Sequence, residues 1–266
     1  MIKFNCFSDD LHFFFSHTTE EPIAIYALND SKQIPDSSGN SNPDGIPHNI
    51  NETGGPYGES RSVEFEGTSA SYIQISQDGK LSITASFSIL VWIYRDWSMN
   101  SLIGNGGEIV TIGSKSGAIS GLLFGCTCNR KLLGKFYFPS SGETFKVSYS
   151  LPTHLESKEG WYHIALVYDN DTRQARLHVD GKLQDKNYVG MGIVGTDADV
   201  IIGKGFKGRI ACLQFYRRPL LEEHIKYAMD KCYIESPSKL VGKLNILLCS
   251  KKEIALMRYN TLKPAT

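Results

Sequence analysis

Hydrophobic and polar positions alternate along much of the chain in short blocks with a period of two residues, which predicts β-strands. The clearest block runs from Gly160 to Gly181. Its first half is apolar on both parities, as in a strand covered on both faces, and its second half alternates from Ala175 to Val179. Asp169–Thr172 supplies turn residues, and Asp180-Gly181 tolerates the positive φ of a tight hairpin. The stretch therefore predicts a central antiparallel hairpin.

Other alternating blocks predict further strands on both sides of this hairpin. They are Ile23–Leu28, Ser62–Glu66, Ser71–Ile75, Ser86–Tyr94, Glu108–Ile112, Gly121–Phe124, Lys135–Phe138, Phe145–Ser150, Tyr188–Val194, Val200–Ile202 and Arg209–Tyr216. Asp36–Gly58 is dense in Gly, Pro, Asn and Ser and predicts a long loop. Only Pro219–Met229 has a helical pattern, with proline allowed in the first turn. Many short strands and one short C-terminal helix predict an all-β protein, a two-sheet antiparallel sandwich.

The pattern divides the 266 residues into three parts. Residues 1–21 have no clean period and are interpreted as a leader or a disordered arm, residues 22–232 as the sandwich domain, and residues 233–266 as a tail of unknown structure. Asp9 and Asp10 interrupt the N-terminal aromatic cluster, so that cluster is not a typical signal peptide. Two interpretations follow: the protein is not secreted, or its true start lies upstream. We expect the second, with the chain a fragment or module of a larger protein.

Charge excludes two classes of partner. Lys plus Arg and Asp plus Glu are both 28, so the formal net charge is zero. No global field favours nucleic acid or an anionic membrane surface. No apolar run reaches the roughly 18 residues that a spanning helix needs, so no membrane span is expected.

Five blocks, in this order, carry a family resemblance: DSSGNSNPDG, GPYGESRSVEFEGTSASYIQI, SFSILVWIY, GWYHIALVYDNDTRQARLHVDGKL and FKGRIACLQFYRRPLLEEHI. Together they resemble a laminin-G-like domain of the concanavalin A-like lectin/glucanase superfamily, alongside the pentraxins, over about residues 22–232. The resemblance implies a jelly roll of two antiparallel sheets. It also implies a non-catalytic, extracellular recognition module that binds a glycan or an extracellular protein through loops at the rim of the sandwich. Such sites often lie around a calcium ion at a sheet edge.

The first loop contains the candidate calcium ligands, Asp36 and Asn40. They are oxygen donors four residues apart in a glycine-containing turn, which suits a hard cation, and the resemblance implies a calcium ligand at the Asp. The C-terminal block has Ala211 and Cys212 where the family often adds an acid. The alternative is that Asp36 and Asn40 cap turns through their own backbone.

The acidic residues do not predict catalysis. Glycoside hydrolases of this superfamily carry a Glu-x-Asp-x-Glu type of run, and no Glu here has an Asp two residues later. Glu64/Glu66 and Asp197/Asp199 are strand-like acidic pairs, interpreted as a solvated face. We therefore expect no enzyme. The alternatives are a carbohydrate-active enzyme on the same fold and a structural adhesion domain without a small ligand.

A set of basic residues offers a further alternative, a polyanion-binding face of the kind that some laminin G modules use for sulfated glycans. The set comprises Arg173, Arg176, His178, Lys204, Lys207 and Arg209. An ordinary solvated face is preferred at zero net charge.

Cysteines and sequons favour an extracellular location. Cys212 and Cys232 have 19 residues between them, and a disulfide joining them would stabilise the fold by about 3 kcal/mol and fix the helix to the C-terminal strand. The family resemblance implies such a bridge at the C-terminal end. The alternative is two buried thiols in a reducing compartment. Asn-x-Ser/Thr triplets predict N-glycosylation at Asn29, Asn51 and Asn170. Trp92 and Trp161 are interpreted as core residues, and Trp97, in a polar loop, as a ligand contact.

Overall fold

The computed structural model of the chain describes residues 21–58, 60–77, 79–83, 85–94, 107–113, 121–127, 130–138, 142–151, 160–189, 196 and 198–232. The predicted arm, apart from residue 21, and the tail from residue 233 lie outside these ranges. The chain divides into two compact units, Met1–Met229 and Asp230–Thr266. The sandwich lies in the first unit.

Fifteen strands and one helix form in the described residues. The strands are β1 (Ala24–Tyr26), β2 (Gly45–His48), β3 (Ile50–Gly54), β4 (Arg61–Glu66), β5 (Tyr72–Ile75), β6 (Phe87–Tyr94), β7 (Glu108–Ile112), β8 (Leu122–Cys126), β9 (Lys131–Phe138), β10 (Glu143–Ser150), β11 (Trp161–Asp169), β12 (Gln174–Val179), β13 (Lys182–Tyr188), β14 (Val200–Ile202) and β15 (Lys207–Tyr216). The helix is α1 (Glu222–Ala228).

The strands form two antiparallel sheets. Sheet A has the order β13-β12-β11-β6-β15-β4-β3, and β1 also pairs with β15. Sheet B has the order β10-β9-β8-β7-β14-β5-β2. One large cluster of buried apolar side chains draws on strands of both sheets. The predicted all-β jelly-roll sandwich with one short C-terminal helix is confirmed.

The predicted central hairpin is β11–β12, and it lies inside sheet A. β11 pairs with β12 on one side and with β6 on the other. Leu166 lies opposite Leu177, and both are fully buried in the main core. Asp180 and Gly181 form the next turn, between β12 and β13, and their φ values of 49° and 71° are those that a tight hairpin turn requires. The local prediction is therefore correct in strand type, register parity and turn.

A second, smaller core explains why β11 is apolar on both parities. Its outward residues Ala165 and Val167 pack beneath α1, which contributes Ile225 and Ala228. Buried polar groups tie the helix to the sheet, since the Gln214 amide donates a hydrogen bond of 2.8 Å to the Ala228 carbonyl oxygen. Sheet A is thus covered by sheet B on one face and, in part, by the helix on the other.

The structure corrects three element predictions. The predicted loop Asp36–Gly58 contains the strands β2 and β3. Both lie at sheet edges, where Pro47 is tolerated and little apolar alternation is needed. The predicted strand Tyr188–Val194 shares only Tyr188 with β13, whose largely exposed, polar sequence has no core-facing alternation; residues 190–195 lie outside the described ranges. The helix is shorter than predicted because it starts at Glu222.

Trp92 and Trp161 are buried, as predicted, but on the outer side of sheet A. Trp92 packs edge-on against Tyr57 at 5.4 Å and against His163 at 5.1 Å between ring centroids.

The His163 side chain is fully buried, and neither ring nitrogen has a hydrogen-bond partner in the described part of the chain. Burial, together with the nearby His178, lowers the pKa of His163 to about 3. The ring is therefore neutral near pH 7.

His178, near His163, also has a pKa below the usual value for histidine. Burial and the charge of Arg176 lower the pKa of His178 and Glu222 raises it, with a net pKa of about 4. The unfolded chain takes up these protons near the usual pKa of 6.5, whereas the folded chain does not. Stability from both groups is complete above pH 6.5 and is lost as the pH falls towards 4.

We predict that the free energy of unfolding decreases below pH 6.5 by up to about 1.4 kcal/mol per pH unit for each histidine. Urea denaturation between pH 7 and pH 4 measures this slope. His163→Phe should reduce the slope, because phenylalanine takes up no proton in either the folded or the unfolded chain. The matched control is His224→Gln, since His224 lies on α1 with its side chain 33% exposed. An unchanged slope in His163→Phe contradicts the prediction.

Candidate functional site

Asp36 organises the first loop through hydrogen bonds. Its two carboxylate oxygens accept five bonds of 2.8–3.2 Å, from the backbone amides of Ile25, Ser38 and Asn42 and from the side chains of Ser38 and Asn42. Burial raises the pKa of Asp36, but these hydrogen bonds outweigh it, and the net pKa is lowered. Asp36 therefore ties the loop to β1.

Asn40 contributes to the same loop as a donor. Its amide nitrogen bonds to the carbonyl oxygens of Pro22 and Ile23 and to the Ser38 hydroxyl, at 3.1–3.2 Å. No group of three or more His, Cys, Asp or Glu side chains in the described ranges could hold a metal ion. Calcium ligation by Asp36 and Asn40 remains a prediction, and it would have to replace hydrogen bonds already made.

The other predicted site residues are dispersed. Asn29 and Asn51 are exposed, whereas Asn170 is half-buried in the β11–β12 turn, and its side-chain oxygen accepts a hydrogen bond from the Tyr168 hydroxyl. Trp97 lies outside the described residues.

Cys212 and Cys232 are both disulfide-bonded. Cys212 adopts a φ of 50° where the β6–β15 register shifts. Cys126 is buried, and Cys6, Cys128 and Cys249 lie outside the described ranges.

A row of functional side chains crosses the outer face of sheet A at one end. Backbone pairing places Asn51 opposite Glu64, Glu64 opposite Arg209, Arg209 opposite Tyr94, and Tyr94 opposite Trp161. Alternate residues of these strands, such as Phe65, Ile93 and Ile210, are buried in the main core. Because side chains alternate between the two faces of a sheet, the row points away from that core. We call these five residues the outer row.

Arg209 is the centre of the outer row. Its guanidinium lies over the Tyr94 ring, 4.9 Å from the centroid, and its Nε is 3.7 Å from the Glu64 carboxylate. Its side chain is 33% exposed, and that of Glu64 is 46% exposed. The cation–π contact and the ion pair place an aromatic ring and a carboxylate next to the same guanidinium at the surface.

A depression of about 290 Å³ opens beside the outer row. It is lined by Asn51, Glu64, Phe65, Glu66, Tyr94, Lys207 and Gly208. The residues of the lining therefore carry two carboxylates (Glu64 and Glu66), one amide (Asn51), one ammonium (Lys207) and the aromatic ring of Tyr94. Concave surfaces with an aromatic side chain and a few convergent polar groups are typical of ligand sites.

The Tyr94 ring occupies space that only a glycine at position 160 leaves free. The φ of Gly160 is +91°, and a Cβ there would lie only 2.6 Å from Cε2 of the tyrosine ring. Trp161 adds a tilted ring contact at 5.7 Å between centroids. The tyrosine is held by Gly160, Trp161 and Arg209 together, so little side-chain entropy remains to be lost when a ligand binds.

The sequence indicated some residues of this site but not their proximity. Glu64 and Glu66 stood out as an acidic pair, and Lys207 and Arg209 as members of a basic set. The basic set does not form one continuous patch, because Arg176 and His178 lie on β12, which two strands separate from β15. Tyr94 had no distinguishing signal and Asn51 was noted only for its sequon, because only strand pairing brings these two residues near Glu64. In the described ranges, no helix is long and apolar enough to cross a membrane.

The fold and this site define a two-sheet antiparallel sandwich with a ligand-sized depression on one outer face. The chain belongs to the concanavalin A-like lectin/glucanases superfamily, because the family model of that description matches residues 66–226, more than half of the chain. The resemblance seen in the sequence is thus confirmed. No curated protein matches the sequence.

Several solved structures with this fold are binding domains, and three of them illustrate the similarity. The binding domain of Paraclostridial mosquitocidal protein 1 has a TM-score of 0.64 at 15% identity, covering 79% of this chain and 52% of that one. The botulinum neurotoxin serotype G binding domain has a TM-score of 0.62 at 14% identity, covering 77% and 50%. The serotype D ligand binding domain, in complex with N-acetylneuraminic acid, has a TM-score of 0.64 at 14% identity, covering 79% and 51%. The chain spans about half the length of each.

We predict that Asp36→Asn lowers the free energy of unfolding by about 1–3 kcal/mol, because an amide cannot accept all five hydrogen bonds. Chemical denaturation measures this loss. The lowered pKa gives a second readout: the contribution of Asp36 is present above its unfolded pKa of 3.8 and is lost as the pH falls below it. Asp30→Asn is the control, since Asp30 accepts only exposed local hydrogen bonds. Equal stability of the two variants would contradict the structural role of Asp36.

Proposed function

We propose that this domain is a non-catalytic recognition module and that the depression beside the outer row binds a glycan. The observation that carries the proposal is the arrangement of Tyr94, Arg209 and Glu64 at the surface. A sugar presents C–H groups that pack on an aromatic ring and hydroxyls that hydrogen-bond to carboxylates and amides. The complex of the serotype D domain with N-acetylneuraminic acid supports glycan binding on this fold, by analogy.

The proposal includes an extracellular location. Disulfide-bonded Cys212 and Cys232 suit an oxidising compartment, and the exposed sequon at Asn29 suits the secretory route. Calcium assistance is a separate part of the proposal. It would involve the Asp36 loop, which also anchors β1, so a bound ion would act on loop stability.

A glycan array probed with the full chain tests the function, once with calcium and once with EDTA. We expect binding that Tyr94→Ala weakens about tenfold or more, as for a central aromatic contact. Tyr188→Ala is the matched control, because Tyr188 is 57% exposed on β13 at the far edge of the same sheet. EDTA should weaken binding only if calcium assists. Binding that is equal in both variants contradicts the proposed site, and no binding to any glycan favours a protein ligand or an adhesion role.

A second candidate function is glycoside hydrolysis, because Glu64 and Glu66 both line the depression. Both side chains lie on the same face of β4, because residues two apart on a strand point the same way, and glycoside hydrolases use two carboxyl groups that flank the scissile bond. Release of reducing sugar from a polysaccharide panel, abolished in both Glu64→Gln and Glu66→Gln, would establish this enzyme and overturn the binding-only proposal.

Glycosylation at Asn51 should block the site, because Asn51 lines the depression and a sugar chain there is bulky. We predict that protein made in a glycosylating eukaryotic host binds glycans more weakly than protein made in bacteria. Asn51→Gln should abolish that difference, whereas Asn170→Gln should not, since Asn170 follows the opposite end of β11 from Trp161. Mass spectrometry establishes which asparagines are occupied. Undiminished binding with occupied Asn51 would contradict the placement of the site.

A further inference from the structure

The charges around the depression restrict the class of ligand. Glu64 and Glu66 contribute two carboxylates to its lining, and Lys207 contributes the single ammonium. Strand pairing places Lys207 directly opposite Glu66 and Arg209 directly opposite Glu64, so each carboxylate has a cation across from it. An anionic sugar placed in the depression would find no cation that lacks a carboxylate opposite it.

Arg209 balances the charge of Glu64 and is not a separate cation for a ligand. Its guanidinium faces the Glu64 carboxylate at 3.7 Å and the Tyr94 ring at 4.9 Å, and it is not part of the lining. An acidic ligand group would have to take the guanidinium from Glu64 and leave that carboxylate beside the ligand's own charge. Like charges in such proximity are unfavourable.

The same groups suit neutral hydroxyls. A carboxylate accepts hydrogen bonds only, and a sugar hydroxyl donates one without adding charge. Asn51 can both donate and accept, and Tyr94 offers an apolar surface for a sugar ring. Bonds from hydroxyls to a carboxylate are among the stronger hydrogen bonds.

We propose that the depression selects neutral, hydroxyl-rich sugars over sugars that carry carboxylate or sulfate groups. This inference rests on the proposed function and adds the ligand class. It distinguishes this chain from the serotype D domain, whose bound N-acetylneuraminic acid is an acidic sugar.

The test uses matched pairs of oligosaccharides, each with and without a terminal sialic acid or sulfate, and the full chain made in bacteria so that Asn51 is unmodified. We expect the neutral member of each pair to bind more tightly, with little dependence on salt. Glu64→Gln should weaken neutral binding about tenfold or more, since it removes a charged acceptor. Glu223→Gln is the control, because the Glu223 side chain is 74% exposed on α1.

A charge reversal sharpens the test. Glu66 is exposed at the end of β4, so Glu66→Lys is expected to fold, which a thermal melt verifies. It should shift preference towards the acidic members of the pairs. Preferential binding of acidic sugars by the unaltered chain overturns the selectivity but leaves the proposed function standing. Absence of binding to every sugar overturns both, and strongly salt-dependent capture of a lysine-rich peptide instead would identify a basic protein segment as the ligand.

Discussion

Burial of the β11–β12 hairpin on both faces is the constraint on which the structure depends. β11 lies between two partner strands, sends Leu166 into the main core and places Val167 beneath α1. A strand with apolar side chains on both faces is stable only when two layers cover it. The helix is therefore part of the sandwich rather than an appendage.

Coverage of the outer face of sheet A is uneven, and this decides where a ligand can bind. Near Val167 the face is closed by α1, and around Trp92 it is closed by the ring of Tyr57. At the Tyr94 end the outer row borders an open depression instead. There the polar groups are held by one another, through a cation–π contact and an ion pair. The rigid sheet thus provides both the stability and the geometry of the candidate site.

Most of the fold was predictable because its signals are local. Alternation in Glu108–Ile112 and Val200–Ile202 gave the strand bounds that the structure has, and Asp180-Gly181 gave the turn. The strands that were missed lie at sheet edges, such as β2 and β13. An edge strand can be short and polar because one side and much of its surface face solvent, so its sequence contains little periodic signal.

The sequence by itself determined the class of fold, the central hairpin and the short helix, because each follows from the spacing of apolar residues along the chain. Only the tertiary structure decided the candidate site. Asn51, Glu64, Tyr94 and Arg209 belong to four strands, β3, β4, β6 and β15, and antiparallel pairing brings them into one row. The role of Asp36 was likewise decided in three dimensions, since its partner Ile25 precedes it by 11 residues. Long-range pairing has no local signature, because it depends on which strands become neighbours.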